Sequence, residues 1–457
     1  MNAITAFKAY DLRGRIPNEL NEDIAYRVAR GYAQFLAPKR ICVGRDIRLS
    51  SDALAKSVIQ GLVDSGVDVV DIGLCGTEGV YFATFALGLD GGIMVTASHN
   101  PPDYNGMKFV REGSRPISGD TGLKDIRAFA EAQNFPSPTQ PGTVTHIDTG
   151  PAYIQHLLSY VDLTKLKPIK IVCNAGNGGA GLVVDKLEPH LPFQFIKMNH
   201  LPDGTFPHGV PNPMLEQNRA PVAEAVVREG ADIGIAWDGD YDRCFFFDHE
   251  GTFIEGYYIV GLLASVFLER SKGAAIVHDP RLTWNTIDIV QKHGGRVVQC
   301  KSGHAFIKAT MRDVDAAYGG EMSAHHYFRD FAYCDSGMIP WLVLAQVISE
   351  SGKSLAQLVG ERMQAFPASG EINMRVPDGP AAIAALEAHY LPSSKVQDYT
   401  DGVSLEFDQW RLNLRSSNTE PLIRLNVESR GDSALMKAKT EEILAFLGAL
   451  GAVAADH

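Results

Sequence analysis

The sequence is poor in cysteine and contains no long hydrophobic run. Six cysteines are spread over 457 residues, and none belongs to a C-x-x-C pair. Isolated cysteines within apolar sequence are typical of reduced, buried thiols, so we expect a cytoplasmic protein. No apolar stretch approaches the length of a membrane span, and the opening residues, MNAITAFKAYDLRG, contain no apolar core of a signal peptide. We therefore expect no membrane association.

Positive charge is also in short supply. The chain has 42 Lys and Arg residues against 54 Asp and Glu residues, which gives a formal net charge of −12. An excess of negative charge argues against non-specific binding of nucleic acid. A site for an anionic ligand would have to be locally basic against this repelling background.

The sequence does contain a regular alternation of strand-like and helical segments. The strand pattern RICVGRD is followed by a helical pattern, SSDALAKSVIQGLVDSG, and then by the strand pattern VDVVDIG. This rhythm is typical of α/β layers, and the chain length indicates three or four domains. Composition breaks at 134–142, 252–256 and 366–371 suggest the boundaries. We predict α/β domains at 1–149, 150–252 and 253–366, and a C-terminal α+β domain at 367–457.

A polar loop with a serine follows the apolar run GGIMV. The stretch VTASHNPPDYNGMKF contains Ser98 and His99, then two prolines, and ends near Lys108. Strands that open into Pro- and Gly-rich polar loops are common ligand sites in α/β proteins. The loop lacks the G-x-S-x-G elbow of an esterase, so the role of its serine is not explained by acyl transfer.

Three aspartates alternate directly after another apolar strand, in DIGIAWDGDYDRC. Alternate residues of an extended chain point the same way, so Asp238, Asp240 and Asp242 are expected to converge on one divalent cation. A solvated acidic turn is the alternative interpretation. The apolar strand and the adjoining Arg243, which could steady an anion shared with the metal, favour a metal site.

A third loop, YGGEMSAHHYF, offers groups that suit a sugar. Glu321 and Ser323 provide an acceptor and a hydroxyl for vicinal sugar hydroxyls. His325 and His326 could act as acid or base, and a histidine pair that caps a strand is the alternative. Two further candidates lie in an upstream glycine-bearing turn, CKSGHAFIK: Lys301 and His304.

A fourth loop is a run of hydrogen-bond donors after the strand pattern WRLNL. Backbone N–H groups, hydroxyls and a bidentate arginine can together surround a phosphate, although an ordinary polar turn is the alternative. The donors are Arg415, Ser416, Ser417, Asn418 and Thr419.

Four motifs follow the N-terminal stretch FKAYDLRG along the chain. In order, they are TASHNPPDYNGMKF, DGDYDR, GEMSAHHYF and RSSNTEP. Together they resemble the α-D-phosphohexomutase superfamily over the whole sequence. Within this superfamily, the sequence resembles the bacterial phosphomannomutase/phosphoglucomutase branch, because it has Met322 within GEMS where phosphoglucosamine mutases typically have Gln. Two positions depart from the pattern, because Tyr241 and Ala324 stand where many members have Gly. Ala324 could narrow its loop and so affect the sugar preference.

The resemblance implies a fold and a mechanism. The fold would be four domains around a central cleft, three of them related α/β domains and the fourth a smaller α+β domain. Ser98 would be carried as phosphoserine and would donate its phosphate, with one Mg²⁺ held by Ser98, Asp238, Asp240 and Asp242. Such transfer needs no activated free serine.

The resemblance also implies roles for the remaining candidates. The catalytic group would be Ser98, His99, Lys108, Arg13, His304 and His325. The substrate-binding group would be Tyr10, Arg243, Arg281, Lys301, Glu321, Ser323, His325, Arg415, Ser416, Ser417, Asn418, Thr419 and Arg424.

The reaction implied by the resemblance is a reversible phosphate exchange. Mannose 6-phosphate would become mannose 1-phosphate, and glucose 6-phosphate would become glucose 1-phosphate, through a hexose 1,6-bisphosphate. Glucose 1,6-bisphosphate would act as activator, and we expect a monomer whose partners are hexose phosphates. Two other functions stay open on the sequence alone. They are a metal-dependent phosphatase and a phosphosugar-binding protein without catalysis.

Overall fold

The computed structural model describes residues 3–417 and 422–455. Its described residues form two compact units. Unit 1 contains the chain up to Phe253 together with Asp330–Gly352, and unit 2 contains Ile254–Arg329 and the chain from Lys353 onward. None of the helices in the described part of the chain is long and apolar enough to cross a membrane.

Unit 1 begins with a sheet covered by helices. Its elements are β1 (Leu12–Arg15), α1 (Glu22–Leu36), β2 (Arg40–Arg45), α2 (Ser51–Val63), β3 (Asp68–Leu74), α3 (Thr77–Ala86), β4 (Gly91–Val95), β5 (Tyr104–Arg111), β6 (Arg115–Pro116), α4 (Lys124–Ala132) and β7 (Val144–His146). The strand order is β1-β5-β4-β2-β3-β7, with β6 beside β5. The predicted strand, helix and strand between residues 40 and 73 are confirmed as β2, α2 and β3.

The central strands of this sheet are buried because helices cover them. All five residues of β4 are buried, and β4 runs parallel to β2, as expected for an apolar strand covered on both faces. Helix α1 begins at an asparagine cap, where the Asn21 side chain accepts a hydrogen bond from the N–H of Ile24 at 3.0 Å. Its inner face places Val28 and Tyr32 in the same core as Ile93 of β4. This packing fixes the end of β4, where the serine loop begins.

The second sheet of unit 1 repeats the α/β pattern. Its elements are α5 (Gly150–Leu158), β8 (Lys170–Asn174), α6 (Ala180–Leu187), β9 (Gln194–Met198), α7 (Ala220–Glu229), β10 (Ile233–Trp237), β11 (Cys244–Phe247) and β12 (Phe253–Ile254). Strand β10 is buried along its whole length, parallel to β8 and antiparallel to β11. The acidic loop therefore lies between β10 and β11.

Unit 2 opens with a third α/β layer. The next elements along the chain are α8 (Gly256–Arg270), β13 (Ala275–His278), α9 (Trp284–Lys292), β14 (Arg296–Gln299), α10 (His304–Val314), β15 (Tyr318–Gly320), β16 (His326–Phe328), β17 (Cys334–Asp335), α11 (Ile339–Ser351) and α12 (Leu355–Ala365). Strand β13 lies between β14 and β15 and is parallel to both, and β16 is antiparallel to β15.

The segment with β17 and α11 belongs to unit 1. The indole N–H of Trp237 donates to the carbonyl of Gly337 at 2.9 Å, and the N–H of Asp162 donates to the Gln346 side chain at 2.8 Å. These hydrogen bonds, which bridge 100 and 184 positions of sequence, attach the returning segment to the second sheet of unit 1.

The C-terminal part of unit 2 is an antiparallel sheet with helices. Its elements are β18 (Ile372–Arg375), α13 (Gly379–Tyr390), β19 (Val396–Asp398), β20 (Val403–Glu406), β21 (Trp410–Ser416), β22 (Ile423–Ser429), α14 (Ser433–Ala449) and β23 (Val453–Ala454). The order is β19-β20-β21-β22-β18-β23. The strand pattern WRLNL is confirmed as part of β21, and β21 follows β20 through a turn closed by the N–H of Phe407 on the carbonyl of Trp410 at 2.8 Å. Helix α14 follows β22 along the chain.

Candidate active site

Ser98 lies at the end of β4 in a constrained turn. Its backbone is left-handed, with φ of 50°, an unfavourable conformation for a residue with a side chain. The Ser98 Oγ lies 2.9 Å from Asp238 Oδ2 and 3.1 Å from His99 Nδ1. The Ser98 N–H donates to Thr96 Oγ1 at 2.9 Å. The turn thus presents the hydroxyl directly to the acidic loop of the neighbouring sheet.

Arg48 holds the serine loop in this shape. Its guanidinium donates to the carbonyls of Ser98 at 2.9 Å, Asn100 at 2.6 Å, Pro101 at 2.7 Å and Tyr104 at 3.0 Å. Four carbonyls converging on one buried arginine leave the loop little freedom. Arg48 was not predicted, and no motif marks it, because its partners lie 50 to 56 residues further along the chain.

The three aspartates converge, as predicted, but for a different reason. Residues 238–242 form a turn closed by the N–H of Tyr241 on the carbonyl of Asp238 at 3.1 Å, and not the predicted extended chain. One carboxylate oxygen from each of Asp238, Asp240 and Asp242 lies within 4.8 Å of the others. Gly239 allows this turn to meet the serine loop, because a Cβ there would lie 2.5 Å from the carbonyl oxygen of Ser98.

Lys108 and Thr77 complete the wall of this acidic cluster. The Lys108 ammonium lies 2.7 Å from Asp240 Oδ2 and 2.6 Å from Asp242 Oδ2. Thr77 Oγ1 donates to Asp240 Oδ2 at 2.5 Å. Although burial alone would lower it, the pKa of Lys108 is raised by the carboxylates of Asp240 and Asp242. Lys108 therefore keeps its proton in this arrangement.

The electrostatics of the cluster set Asp238 apart. Burial, together with the carboxylates of Asp242 and Asp240, raises the pKa of Asp238 to about 7. Burial and the positive charges of Arg243 and Arg13 hold the pKa of His99 well below its ordinary value. His99 is therefore neutral at pH 7, and its Nδ1 can accept a hydrogen bond from the Arg243 guanidinium at 3.3 Å.

Two arginines flank the serine loop. Arg13 donates to Asp11 Oδ2 at 2.8 Å, to the carbonyl of Ala97 at 3.3 Å and to Asn100 Oδ1 at 2.5 Å. On the other side, Arg243 lies 3.5 Å from Asp238 Oδ2 and 3.3 Å from His99 Nδ1. Both predicted arginines are thus close to Ser98, and they supply local positive charge in an acidic protein.

Tyr241 links the acidic loop to the N-terminus of α3. Its backbone is left-handed, with φ of 46°, which explains why this position favours glycine. Its hydroxyl accepts a hydrogen bond from the N–H of Gly76 at 2.7 Å, and the ring leaves no room for a Cβ there, at 2.3 Å. Ala324 is likewise left-handed, with φ of 68°. Both departures from glycine therefore occupy positions where glycine is favoured by backbone conformation.

The Tyr241 contact predicts a loss of stability in Tyr241→Phe. Removing the hydroxyl leaves the buried N–H of Gly76 without its acceptor, which should cost about 1–2 kcal/mol of the free energy of unfolding of unit 1. Urea denaturation followed by tryptophan fluorescence would measure the loss. The matched control is Tyr26→Phe, whose half-buried hydroxyl contacts Asp64, and it should lose less. Equal losses of stability in the two variants would show that the hydrogen bond between the Gly76 N–H and the Tyr241 hydroxyl contributes no more than that of a half-buried tyrosine.

Unit 2 holds the predicted sugar-binding residues after β15. Glu321 is buried, and its carboxylate accepts from the N–H of Gly303 at 2.8 Å and from the Tyr327 hydroxyl at 2.5 Å. Ser323 Oγ lies 3.3 Å from the Arg281 guanidinium. His325 Nδ1 lies 3.6 Å from Glu321 Oε2. The loop is a turn closed by the N–H of Ala324 on the carbonyl of Glu321 at 3.1 Å, and it presents an acceptor, a hydroxyl and a histidine.

His326, the second histidine of the pair, is part of the core. It is fully buried, and its Nδ1 lies 2.7 Å from the hydroxyl of Tyr318. Burial, with the neighbouring His325 ring, lowers the pKa of His326 to about 3. The alternative of a structural histidine therefore describes His326, whereas His325 remains a candidate acid or base.

Three predicted arginines meet at one carboxylate. Arg281 follows β13, while Arg415 and Arg424 lie opposite each other on β21 and β22. All three donate to Glu371, with nitrogen-to-oxygen distances of 3.3, 3.0 and 3.1 Å. Although burial opposes it, the guanidinium groups of Arg415, Arg281 and Arg424 hold the pKa of Glu371 far below its ordinary value. Glu371 was not among the predicted residues.

The remaining predicted residues have the following surroundings. Lys301 lies over the ring of Phe306 at 5.2 Å, and His304 begins α10. Tyr10 is half-buried next to Asp11, and Ser416 is exposed at the end of β21. The N–H of Ser417 donates to the carbonyl of Leu422 at 2.8 Å. Asn418 and Thr419 lie outside the described residues.

Profiles of known protein families match four successive segments that cover most of the chain. The profiles of phosphoglucomutase/phosphomannomutase α/β/α domains I, II and III match residues 5–137, 151–251 and 255–366. The profile of the C-terminal domain of that family matches residues 371–445. The fold is thus three related α/β domains and a C-terminal domain. The boundaries predicted at 149, 252 and 366 stay a prediction.

Individual relatives cover nearly the full length. A phosphomannomutase from Salmonella montevideo is 60% identical over 454 residues, which are 98% of this chain and 100% of the relative. A protein named phosphohexose mutases, from Xanthomonas campestris pv. campestris strain B100, is 60% identical over 441 residues, 96% of this chain and 98% of the relative.

A solved structure supports the same assignment. The crystal structure of a phosphoglucomutase/phosphomannomutase family protein from Burkholderia thailandensis has a TM-score of 0.89 at 30% identity, covering 100% of this chain and 99% of that one. Four family profiles in order, with relatives of this identity and coverage, agree with the sequence motifs. The chain therefore belongs to the phosphoglucomutase/phosphomannomutase family of the α-D-phosphohexomutase superfamily, and it is a phosphohexose mutase.

Proposed function

We propose that this mutase transfers phosphate through Ser98 and a hexose 1,6-bisphosphate. The observation that carries the proposal is the position of Ser98 Oγ, 2.9 Å from Asp238 in a turn held by Arg48. A phosphate on this oxygen would lie among acidic ligands, while Arg13 and Arg243 offset its charge. Such a serine needs no strong base, because it donates phosphate and receives it back.

We propose that Asp238, Asp240 and Asp242, with phosphorylated Ser98, hold one Mg²⁺. The chemistry of the cluster fits, since oxygen ligands suit Mg²⁺ and the buried Asp240 Oδ1 makes no hydrogen bond within the described residues. When bound, the cation supplies countercharge to the transferring phosphate. Lys108 holds a second positive charge at the same carboxylates, which suits a role in neutralising the phosphate.

Unit 2 is proposed to recognise the sugar phosphate. Glu321 and Ser323 would accept and donate to sugar hydroxyls, and His325, beside Glu321, would take the proton of the hydroxyl that attacks the phosphate. His304 and Lys301 would assist there. Tyr10, which belongs to unit 1, is a further proposed substrate-binding residue. The phosphate that does not react would be bound by Arg281, Arg424 and the loop Arg415–Thr419, of which only part is described.

The proposed substrates are those that the resemblance of the sequence motifs implies, and the name of the phosphomannomutase relative agrees with a mannose phosphate. Mannose 6-phosphate and mannose 1-phosphate would interconvert, as would the corresponding glucose phosphates, and glucose 1,6-bisphosphate would restore phosphate to Ser98. The enzyme would work as a cytoplasmic monomer. The net charge of −12 argues against nucleic acid as a partner, and small anionic substrates would need the local positive charge that the arginines supply.

A coupled assay tests the reaction. Purified protein with Mg²⁺ and a trace of glucose 1,6-bisphosphate should convert mannose 1-phosphate and glucose 1-phosphate to the 6-phosphates, without release of inorganic phosphate. Release of inorganic phosphate in proportion to substrate loss would instead show a phosphatase. Binding of either sugar phosphate without turnover would show a protein that only binds.

The proposed phosphate-binding role of the loop that begins at Arg415 gives a prediction for this residue. If its planar guanidinium binds the distal phosphate, Arg415→Ala should raise KM by roughly tenfold or more. Arg415→Lys should recover only part of the loss, because an ammonium cannot make two parallel hydrogen bonds. Steady-state kinetics on glucose 1-phosphate measure both. Arg430→Ala, whose guanidinium lies over the Trp284 ring at 3.8 Å, is the control and should keep its KM. A lysine variant equal to wild type would exclude the bidentate contact.

A further inference from the structure

The aromatic ring of Tyr241 fills a narrow space between two glycines of unit 1. Tyr241 is 2% exposed, although it stands in sequence between two of the acidic residues, Asp240 and Asp242. A Cβ on Gly76 would lie 2.3 Å from the ring carbons Cε1 and Cζ, and a Cβ on Gly179 would lie 2.8 Å from Cε1. Cβ atoms essentially never approach other heavy atoms this closely, so the ring requires glycine on each side.

The two glycines belong to the starts of helices on different sheets. Gly76 is the N-cap of α3, which follows β3 of the first sheet, and Gly179 is the N-cap of α6, which follows β8 of the second sheet. Gly179 has φ of −80° and ψ of −16°, which any residue can adopt. The glycine at position 179 is therefore needed for the space that the ring occupies and not for its backbone conformation.

The backbone beside Tyr241 is also in close contact with both helix starts. The carbonyl of Asp240 accepts from the N–H of Thr77 at 3.2 Å. A Cβ on Gly178 would lie 2.8 Å from the carbonyl oxygen of Gly239. The acidic loop thus lies directly against α3 on one side and against the start of α6 on the other, with the Tyr241 ring between them. Where this backbone lies decides where the carboxylates point.

The left-handed backbone of Tyr241 indicates that its ring has a use. A bulky residue with φ of 46° is strained, and glycine would remove that strain. Glycine would also leave the space between Gly76 and Gly179 empty, so that no side chain would keep the loop from shifting toward either helix. The tyrosine therefore contributes a packing contact that glycine cannot make.

We propose that Tyr241 is a positioning residue, whose ring, packed between Gly76 and Gly179, fixes Asp240 and Asp242 in the geometry that binds the cation. This inference rests on the proposed Mg²⁺ site and assigns a role there to a side chain that is not itself a ligand. Mg²⁺ demands nearly ideal octahedral geometry, so a small displacement of a carboxylate weakens its binding. The ring acts on the affinity for Mg²⁺ and not on the affinity for the sugar phosphate.

Removing the ring tests the inference. In calorimetric titration with Mg²⁺, Tyr241→Ala should bind roughly tenfold or more weakly, the usual effect of losing a group that supports metal ligands. Tyr241→Phe keeps the ring and should bind Mg²⁺ like wild type, although it loses the hydrogen bond from Gly76. Raising the Mg²⁺ concentration should restore the kcat of Tyr241→Ala, with KM for glucose 1-phosphate unchanged. Wild-type Mg²⁺ affinity in Tyr241→Ala, or an equal loss in Tyr241→Phe, would overturn the inference.

Gly179→Ala tests the same contact from the opposite side. The three nearest atoms that the added methyl group would meet all belong to the Tyr241 ring, at 2.8, 3.3 and 4.0 Å. The methyl group must displace the ring, so Mg²⁺ affinity should fall by about tenfold. In the Tyr241→Ala background the methyl group has room, and Gly179→Ala should cause no further loss. The same loss in both backgrounds, or none in either, would show that Gly179 does not act through the ring.

Two controls separate positioning from a general loss of stability. Tyr26→Ala removes a half-buried ring from α1, and Gly360→Ala adds a methyl group in α12 where no heavy atom lies within 4 Å. Both should keep the Mg²⁺ affinity of wild type, and circular dichroism should show that every variant is folded at the temperature of the titration. A loss of Mg²⁺ affinity in Tyr26→Ala as large as that in Tyr241→Ala would contradict a specific role of the Tyr241 ring.

Asp240→Asn distinguishes failure of the proposed Mg²⁺ site from failure of this inference. If Asp240→Asn binds Mg²⁺ like wild type, the proposed metal site itself fails. If Asp240→Asn binds Mg²⁺ more weakly but Tyr241→Ala does not, the metal site stands and only the positioning role of Tyr241 fails.

Discussion

Replacing Ser98 with alanine should reduce kcat by roughly 10⁴-fold or more, the scale of loss seen when a group that forms the covalent intermediate is removed. The variant keeps Arg48, Asp238 and the turn, but it has no oxygen to carry phosphate. Binding of glucose 1-phosphate should persist, because the proposed phosphate contacts are in unit 2. The coupled assay measures kcat, and calorimetry measures affinity.

Two comparisons make the Ser98 result specific. Ser65→Ala removes a hydroxyl that donates to the carbonyl of Gly61 within unit 1, and its kcat should equal that of wild type. Circular dichroism should show that both variants are folded. A Ser98→Ala protein that keeps more than about one hundredth of wild-type kcat would rule out Ser98 as the phosphate carrier.

Asp240→Asn should lower kcat nearly as much as Ser98→Ala does, because the variant binds Mg²⁺ more weakly. Asp240 receives both Thr77 and Lys108 on one oxygen, at 2.5 and 2.7 Å, and its other oxygen is buried. The amide removes one of three charged ligands and can turn an N–H₂ group toward the Lys108 ammonium. We expect Mg²⁺ affinity to fall by about two orders of magnitude or more and kcat by about 10³-fold. Calorimetric titration with Mg²⁺ reports binding independently of turnover.

Asp248→Asn is the matched control for the metal prediction. Asp248 lies just after β11, where its Oδ1 accepts from the N–H groups of Glu250 and Thr252, each at 2.9 Å, and asparagine can keep these contacts. Mg²⁺ affinity and kcat should remain as in wild type. Asp240→Asn with wild-type Mg²⁺ affinity would show that this aspartate is not a ligand. Chelation should abolish activity in wild type and in Asp248→Asn alike.

The sequence was sufficient for features encoded locally. The apolar run GGIMV predicted β4 and hence a polar loop at its end, where Ser98 lies. The order of four motifs predicted the family, and the family profiles confirm it. The convergence of the three aspartates was also predicted. The predicted extended backbone was wrong, because a turn with left-handed Tyr241 brings the carboxylates together. The left-handed φ of a single residue leaves no repeating pattern in the sequence from which it could be predicted.

Features that depend on distant contacts could not be predicted. Arg48 matters because four carbonyls from residues 98–104 meet at its guanidinium. Glu371 matters because its carboxylate contacts Arg424, which lies 53 positions further along the chain, and Arg281, which lies 90 positions upstream. The attachment of Asp330–Gly352 to unit 1 similarly depends on long-range packing. Each residue type is ordinary in isolation, and only tertiary structure gives it a role.

The central claim is that Ser98 carries the phosphate that is transferred. Intact-protein mass spectrometry before and after treatment with glucose 1,6-bisphosphate and Mg²⁺ tests it most directly, on protein first stripped of phosphate. Wild type should start almost inactive with glucose 1-phosphate alone, gain the mass of one phosphoryl group on Ser98, and recover activity in proportion to that gain. Ser98→Ala should gain none. Full turnover by stripped wild type that acquires no phosphate would contradict the phosphoserine mechanism.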